Sequence, residues 1–555
     1  MSEYQPGLAG NHRVTPIEFL PLDCLSQTAV RWFRWFPYIS LILLLIPLLF
    51  GHGGEQSFLP YDEGLYVWRA RGMVLSGDWL VPRSWDTVHY HKPPGFYWLL
   101  ATLFQMGGLS EVTARLPSQL ASIITTLLLY DLGKRLIPAP AAWWGALLLN
   151  LHFVWFSYSR QATPDILTVL LGVGAVWALI RAEESEQRGQ VWRLGAGVAL
   201  GLGILFRSLM GLIPLVGLLP YLVLERRRHG HLRSPWLWLG VLLGMAPTGM
   251  WLGLVMRQDG WAPVQALLGF VGRAVVRTRQ GNGWFYYFWN VPLQGFPWPL
   301  LALVGGMVTP PVARSLLWGY PLVVLVGLSA ISTRLPHYSL VVMPWLSLLA
   351  GLGLVRLGLI FAGGLKPRWL ARSWAYGLGL VGGVLVLLTT VFYPRFADQV
   401  PEVMPYRWPA LGLGLCWGLL PLVWLGRYRW RQRWPGMRGW LGVCVAGPWL
   451  TLTLLGAMGL VGNFRPDVKW LLQETPMAEV LAVQPVHFVR QGTGDEAQIL
   501  LSIYTPHLGQ WYPDPAALPG GSWAWVQPNV TLQPRSRYRV AGVYEGWRLV
   551  QVREP

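Results

Sequence analysis

A chain of 555 residues that is 53% hydrophobic and only 13% charged is not a soluble globular protein, in which about 25% of residues are charged. Its 34 tryptophans, 64 glycines and 44 prolines fit a polytopic membrane protein, where Gly and Pro are tolerated within helices and Trp collects at the interfaces. The net charge of +18 lies in short basic runs between apolar segments, which reflects membrane topology and attraction to anionic lipid and leaves no reason to expect a nucleic-acid partner.

In chain order, a polar stretch of about 36 residues containing Arg13, Arg31 and Arg34 precedes the first apolar run, 37–50. No small-residue cleavage site follows it, so the run is expected to be a retained anchor. A spanning helix needs roughly 20 apolar residues. On that basis about 13 spans are expected, at approximately 36–51, 113–133, 140–159, 164–182, 193–206, 209–224, 236–256, 286–309, 314–331, 337–361, 373–393, 408–426 and 439–462. Arg207-Ser208 interrupts the run from 193 to 224. The apolar stretch Gly95–Met106 suits a re-entrant or interfacial helix. Cys24, Cys416 and Cys444 have no metal or redox spacing and read as packing residues.

With the N-terminus cytoplasmic, alternate connections carry Lys134-Arg135, the 181–193 segment, Glu225-Arg226-Arg227-Arg228, Arg314, Lys366-Pro367-Arg368 and the run Arg427–Arg438. These are the short basic loops expected inside. The outer set is then 52–112, 160–163, Arg207-Ser208, 257–285, 332–336 and 394–407, followed by the tail from 464. That set holds Asp62, Glu63, Lys92, Arg160, a basic loop with Arg273, Arg277 and Arg279, and Arg334 beside His337-Tyr338. Positive charge on that face opposes the topology bias, and a phosphate is the natural partner to offset it. Beyond 464, short alternating runs at Gln498–Tyr504 and Tyr538–Tyr544 read as β-strands. They define a small outer α/β domain, 464–555, distinct from the membrane domain, 1–463.

Five stretches carry candidate chemistry. Asp62-Glu63 opens an expected interfacial helix; capping explains both acids, and a general base for an acceptor hydroxyl is the functional alternative. Lys92, before Pro93-Pro94, is either a snorkelling lysine or a cation held at membrane depth for a lipid phosphate. His89 and His91 beside it are weak as a metal pair; no cofactor is expected, and a divalent metal is the lesser alternative. Asp165 follows Pro164 at the outer start of a span, where capping competes with an acid of functional use at the hydrocarbon edge. Arg334 with Tyr338, and Arg277 with the aromatic run Trp284–Tyr287, are interfacial anchors or a clamp on a lipid head group.

The run YDEGLYVWRARGMVLSGDWLVPR at 61–83, followed by HKPPGFYW at 91–98, resembles the first outer loop of bacterial GT-C glycosyltransferases of the family-39 and aminoarabinose-transferase type. Arg115-Leu116-Pro117, Asp165 after Pro164, WFYYFWNVPLQGFPWPL at 284–300 and RLPHYSLVVMP at 334–344 match further, with Arg334 where the family has Lys. The resemblance covers about residues 36–350. It implies a GT-C fold, an all-α membrane domain of about 13 helices with a C-terminal outer domain. It further implies transfer of a sugar from a polyprenyl-phosphate donor to a lipid, glycan or protein acceptor outside the cytoplasmic membrane. By the same resemblance Asp62 is the general base supported by Glu63, and Asp165 is a second acid. Lys92 meets the carrier phosphate, and Arg334 and Tyr338 belong to the late loop that closes over it; Arg69 of the motif and Arg277 of the basic outer loop are further expected phosphate contacts. The family often has Glu where this chain has His91, and a His in the aromatic loop that has no clear equivalent here. A transporter or flippase, which would favour mid-bilayer charges and repeated halves, and a non-catalytic scaffold are the competing classes.

Overall fold

The computed structural model describes residues 27–554 apart from 86, 186, 277–281, 397, 400, 430–435, 475–476 and 492–494. Among the described residues, nine helices are long and apolar enough to cross a membrane. Other apolar segments are broken or shorter. The first helix, α1, spans Gln27–Phe50, and its apolar described part is Trp35–Phe50. The expected span at 140–159 is two pieces, α5 (Ala139–Leu149) and α6 (Phe153–Ser159), and that at 286–309 is broken between Tyr286–Gln294 and Trp298–Gly306. The 257–285 connection is largely helical as well, with Ala262–Val276; Arg277 and Arg279 lie outside the described residues.

The expected pair 193–206 and 209–224 begins as one interrupted helix. α8 (Gly189–Arg207) runs into a tight turn, Ser208–Leu212, and resumes at Ile213–Gly217. Ser208 sits at φ 56°, a backbone conformation that side chains with a Cβ rarely adopt. α8 is held against the helix Pro235–Asp259 through Gly197 and Gly201 on one side and Gly240 and Gly244 on the other. A Cβ on Gly197 would fall 2.1 Å from the Leu237 carbonyl oxygen. This is the small-residue packing by which membrane helices approach closely, and it fixes the end of α8 that carries Arg207.

Between α1 and α4 (Glu111–Leu136) lies the first long loop, with α2 (Leu65–Ser76), a short hairpin of β1 (Arg83–Ser84) and β2 (Thr87–Val88), and α3 (Gly95–Gly107). The Gly95–Met106 stretch is thus the short helix expected of it. α7 (Asp165–Glu184) is about 30 Å long at 1.5 Å per residue and separates two polar ends. Asp165 starts one; at the other, Glu184 meets Arg135, and Glu183 meets Arg228 at 2.7 Å.

The tail after 463 forms a five-stranded mixed sheet in the order β4-β3-β5-β7-β6. β3 (Val486–Val489) pairs in parallel with β4 (Leu508–Tyr512) and β5 (Trp523–Val526). β7 (Trp547–Val552) pairs antiparallel with β5 and with β6 (Tyr538–Tyr544). Tyr538–Tyr544 is a strand, as its alternation predicts. Gln498–Tyr504 is not: it belongs to the helix Glu496–Tyr504, capped by Asp495 through the Gln498 amide at 2.8 Å. Residues 497–503 are all buried, and a short run buried on every side lacks the one-sided period that distinguishes helix from strand.

That helix ties the tail to the first loop. Arg71 donates to the carbonyls of Ser502 and Ile503, each at 2.8 Å, and of Pro506 at 2.6 Å. The Tyr504 hydroxyl accepts from the Phe58 amide at 2.9 Å and donates to Glu111 at 2.8 Å. A Cβ on Gly64 would lie 2.9 Å from Ile499, so glycine in the YDEGLY run admits the helix. One apolar cluster, including Phe58, Val67, Phe96, Ile499 and Trp547, runs through loop and tail.

Candidate active site

The acids Asp62 and Glu63 do not cap a helix. They lie in a wide π-type turn, Pro60–Gly64, whose closing bond runs from the Gly64 amide to the Leu59 carbonyl at 2.8 Å. Such turns recur at functional sites. Their two side chains part company here. Glu63 is fully buried; its oxygens accept from Arg115 Nε at 2.9 Å and Nη2 at 3.0 Å, and from the amides of Leu59 (3.0 Å) and Ala162 (2.8 Å). Arg115 also reaches the carbonyls of Gly53, Gln56 and Ser57. Glu63 therefore fixes the turn, and the turn presents Asp62, which is half-buried and whose charge acts on Tyr66, Lys92 and Tyr158.

Lys92 faces that turn from the start of α3. Its Nζ donates to the Tyr66 hydroxyl at 2.6 Å and lies 4.4 Å from the centre of the same ring. Burial pushes the amine down to about 8, assisted by Arg207 and Arg69 and opposed by Tyr97 and Asp62. Tyr66 is pushed up to about 12, chiefly by burial, so it remains a hydroxyl. Arg69, one turn on from Tyr66, donates to the Tyr97 hydroxyl at 3.2 Å and approaches His89 Nδ1 at 3.5 Å. Burial first, then the charges of Arg69, His91 and Arg490, hold the His89 imidazole down at about 3.

The opposite wall comes from the starts of α7 and of Pro336–Phe361 and from the end of α8. Asp165 pairs with Arg207, whose guanidinium lies 5.7 Å from the centre of the Tyr338 ring. His337 Nδ1 and the Tyr158 hydroxyl are 2.9 Å apart. Asp165, Thr168, Arg207, His337 and Tyr338 line one cavity. Arg207 is the site residue that sequence reasoning missed. It read as an interruption and a short connection, although an arginine inside an apolar run is a functional candidate by default.

One expected phosphate contact, Arg334, and a further basic residue, Arg160, are engaged by backbone. Arg334 turns to backbone, donating to the carbonyls of Ser329 (2.8 Å) and Asn282 (2.8 Å), and locks the loop that carries Tyr338 in place. Arg160 is buried, donating to the carbonyls of Leu48 (2.9 Å) and Leu49 (3.0 Å) at the end of α1. The positive charge of these two arginines is thus offset by helix-end and loop carbonyls. Arg277 lies outside the described residues. Trp284, Phe285, Phe288 and Trp289 are exposed, as an aromatic belt at an interface would be. Among the described residues, no group of three or more His, Cys, Asp or Glu side chains could hold a metal ion.

Residues 91–252, from the lysine through Asp165 and Arg207, match the family of dolichyl-phosphate-mannose-protein mannosyltransferases. Over 434 residues the chain is 25% identical to an undecaprenyl phosphate-alpha-4-amino-4-deoxy-L-arabinose arabinosyl transferase 2 of Pseudomonas fluorescens, covering 72% of each chain. It is 26% identical over 474 residues to the corresponding transferase of Pseudomonas paraeruginosa, covering 77% of this chain and 76% of that one. The crystal structure of apo ArnT from Cupriavidus metallidurans superposes with a TM-score of 0.70 at 21% identity, over 95% of this chain and all of that one. The chain is a membrane glycosyltransferase with the GT-C fold, similar to the aminoarabinose transferases. In this glycosyltransferase the two acids and the lysine of the resemblance, Asp62, Asp165 and Lys92, come to one polar end of the helix bundle, joined there by Arg207 and Tyr338.

Proposed function

We propose that the protein transfers a sugar from a polyprenyl-phosphate donor to an acceptor hydroxyl at the outer face of the cytoplasmic membrane, inverting the anomeric carbon. The observation that carries this reading is the Lys92–Tyr66 pair, a buried amine on which the charges of Asp62 and of Arg207, held by Asp165, both act. The donor's lipid tail keeps its phosphate at the interface, so the site needs no nucleotide fold. Lys92 and Arg207 compensate the phosphate as the C1–O bond breaks, an electrostatic role that strengthens where water is excluded. Asp62 takes the proton of the acceptor hydroxyl as its oxygen attacks the opposite face of C1. Arg69 and Tyr338 orient these groups, Arg334 positions the Tyr338 loop, and Glu63 positions Asp62.

The names of the relatives above supply the donor class, a sugar on undecaprenyl phosphate. A second crystal structure of the Cupriavidus metallidurans protein holds undecaprenyl phosphate itself, with the same TM-score of 0.70. The basic connections at Lys134-Arg135 and Glu225–Arg228 support an outer placement of the site and tail by the positive-inside rule. Lipid, glycan and protein hydroxyls all remain acceptors that this chemistry serves.

The test is transfer by the full chain in liposomes with undecaprenyl-phosphate sugars and envelope lipid extract, with the product identified by mass spectrometry and its anomeric configuration read by NMR. Release of undecaprenyl phosphate with a glycosylated product of inverted anomeric configuration is expected. A retained configuration would remove the single-displacement scheme and Asp62 as its base.

A further inference from the structure

The outer wall of the site, where the first loop meets the sheet, gathers buried hydrogen-bond donors that have no protein partner. Phe488 on β3 pairs in register with Trp511 on β4. Arg490 directly follows β3; its guanidinium sits 5.7 Å from the Trp511 ring and its Nη1 donates to Gln498 Oε1 at 3.3 Å. β3 meets the hairpin loop: the Trp85 ring lies 5.0 Å from Phe488, its backbone held at φ 55°. His89 follows the hairpin, 3.5 Å from Arg69 Nη2 and 6.3 Å from the His91 ring. In this one region Arg69 Nε, Trp85 Nε1, His89 Nε2, Arg490 Nε and Trp511 Nε1 are all buried and unpartnered. His89 Nδ1 faces a guanidinium and so accepts, which leaves the proton on Nε2.

A buried donor left without a partner is costly, and most in native proteins are satisfied. Five in one wall, two of them on guanidinium groups, outnumber the one unpartnered ring nitrogen beside them, His91 Nδ1. The charges acting on His89 are Arg69, His91 and Arg490, all basic; Arg273, on the helix Ala262–Val276, adds to them at His91. An amine would be repelled there. A carboxylate or phosphate would accept from the donors and neutralise the guanidinium pair.

We propose that Arg69, His89, Arg490 and the indole N–H groups of Trp85 and Trp511 form an anion subsite, beside the carrier-phosphate groups Lys92 and Arg207 and bordering them at Arg69, that takes a carboxylate or phosphate borne by a substrate. Assignment of that anion to a substrate rests on the glycosyl-transfer reading above. The relatives are named for a 4-amino sugar, which is cationic at neutral pH; this wall selects the opposite charge, on the transferred sugar or on the acceptor.

The full chain in nanodiscs is titrated with potassium phosphate and with sodium glucuronate at constant ionic strength, and binding is read as a rise in melting temperature. Methyl glucoside and glucosamine serve as neutral and cationic controls. Saturable stabilisation by both anions and by neither control is expected. Arg490→Gln and His89→Asn each weaken it at least tenfold, and Arg490→Lys restores part of it. Undecaprenyl phosphate still binds both loss variants. If Arg490→Gln does not fold, His89→Asn decides. Absence of saturable anion binding overturns the proposal, as does anion binding that Lys92→Met abolishes while His89→Asn leaves it intact. Transfer assays then locate the anion. Arg490→Gln raises KM at least tenfold for a uronic-acid donor if the sugar bears it, or for a phosphorylated acceptor if the acceptor does; no change for either overturns the assignment to a substrate. Should no donor support transfer while the anion binding and its dependence on His89 persist, the transfer reading fails and the subsite stands.

Discussion

Arg115 grips Glu63 through two hydrogen bonds, from Nε at 2.9 Å and from Nη2 at 3.0 Å, with both side chains out of contact with solvent. The pair sits directly behind Asp62, and this proximity separates two neighbouring acids into different roles. Removing one partner of a buried pair leaves an uncompensated charge and costs about 3–5 kcal/mol. Glu63→Gln is therefore expected to lower thermal stability by an amount of that order, with loss of activity following loss of fold. Asp62→Asn is expected to leave the melting curve within about 0.5 kcal/mol of wild type. Melting of the two purified variants in nanodiscs checks both; equal destabilisation would contradict the division.

Lys92 predicts a pH dependence. Its charged form is disfavoured by burial, with the amine at about 8 against an ordinary 10.5. The free site loses this proton as pH rises through about 8, whereas a bound phosphate requires it. Affinity for undecaprenyl phosphate should hold steady from pH 7 to about 8 and then fall, by up to about tenfold per pH unit. Lys92→Met should bind more weakly throughout and lose that fall. A flat wild-type profile to pH 9.5 would contradict the assignment.

Asp165 and Arg207 should behave as one unit. Contacting charges give coupling energies of about 0.5–3 kcal/mol in double-mutant cycles. Asp165→Asn and Arg207→Gln are expected to raise the donor KM, with the double variant close to the worse single one. Full additivity of the two effects would remove Asp165 as the residue that holds Arg207 in place.

The tail is expected to steady the first loop through Arg71. Hydrogen bonds from a charged donor contribute about 1.5–3 kcal/mol, and Arg71 donates to three carbonyls of 502–506. Arg71→Met should speed amide hydrogen exchange at least tenfold across Glu496–Tyr504 and also in Pro60–Gly64, which packs on it. Exchange confined to the tail would show that the two do not move together.

How far the sequence led can be judged residue by residue. Asp62, Lys92 and Tyr338 stand in local motifs, and the membrane-domain class followed from composition. Arg207 stood alone in an apolar run, and nothing nearby showed Asp165 as its partner. Glu63 and Arg115 are 52 positions apart, so a buried pair read as two neighbouring acids and a distant arginine. Arg160 and Arg334 were legible as charge, but the backbone carbonyls that bind them become partners only in the fold. Gln498–Tyr504 alternates like a strand because its surroundings bury every face of the helix. The count of 13 spans counted apolar length, and breaks such as Gly295–Pro297 divide that length into shorter helices.

The central claim is that Asp62 removes the acceptor proton while Lys92 holds the leaving phosphate. The most direct measurement is single-turnover transfer from an undecaprenyl-phosphate sugar by purified Asp62→Asn, alongside its affinity for undecaprenyl phosphate. The account predicts a rate lowered by about 10²- to 10⁴-fold, the usual contribution of a positioned base, with carrier affinity within about threefold of wild type. Transfer at the wild-type rate would contradict it.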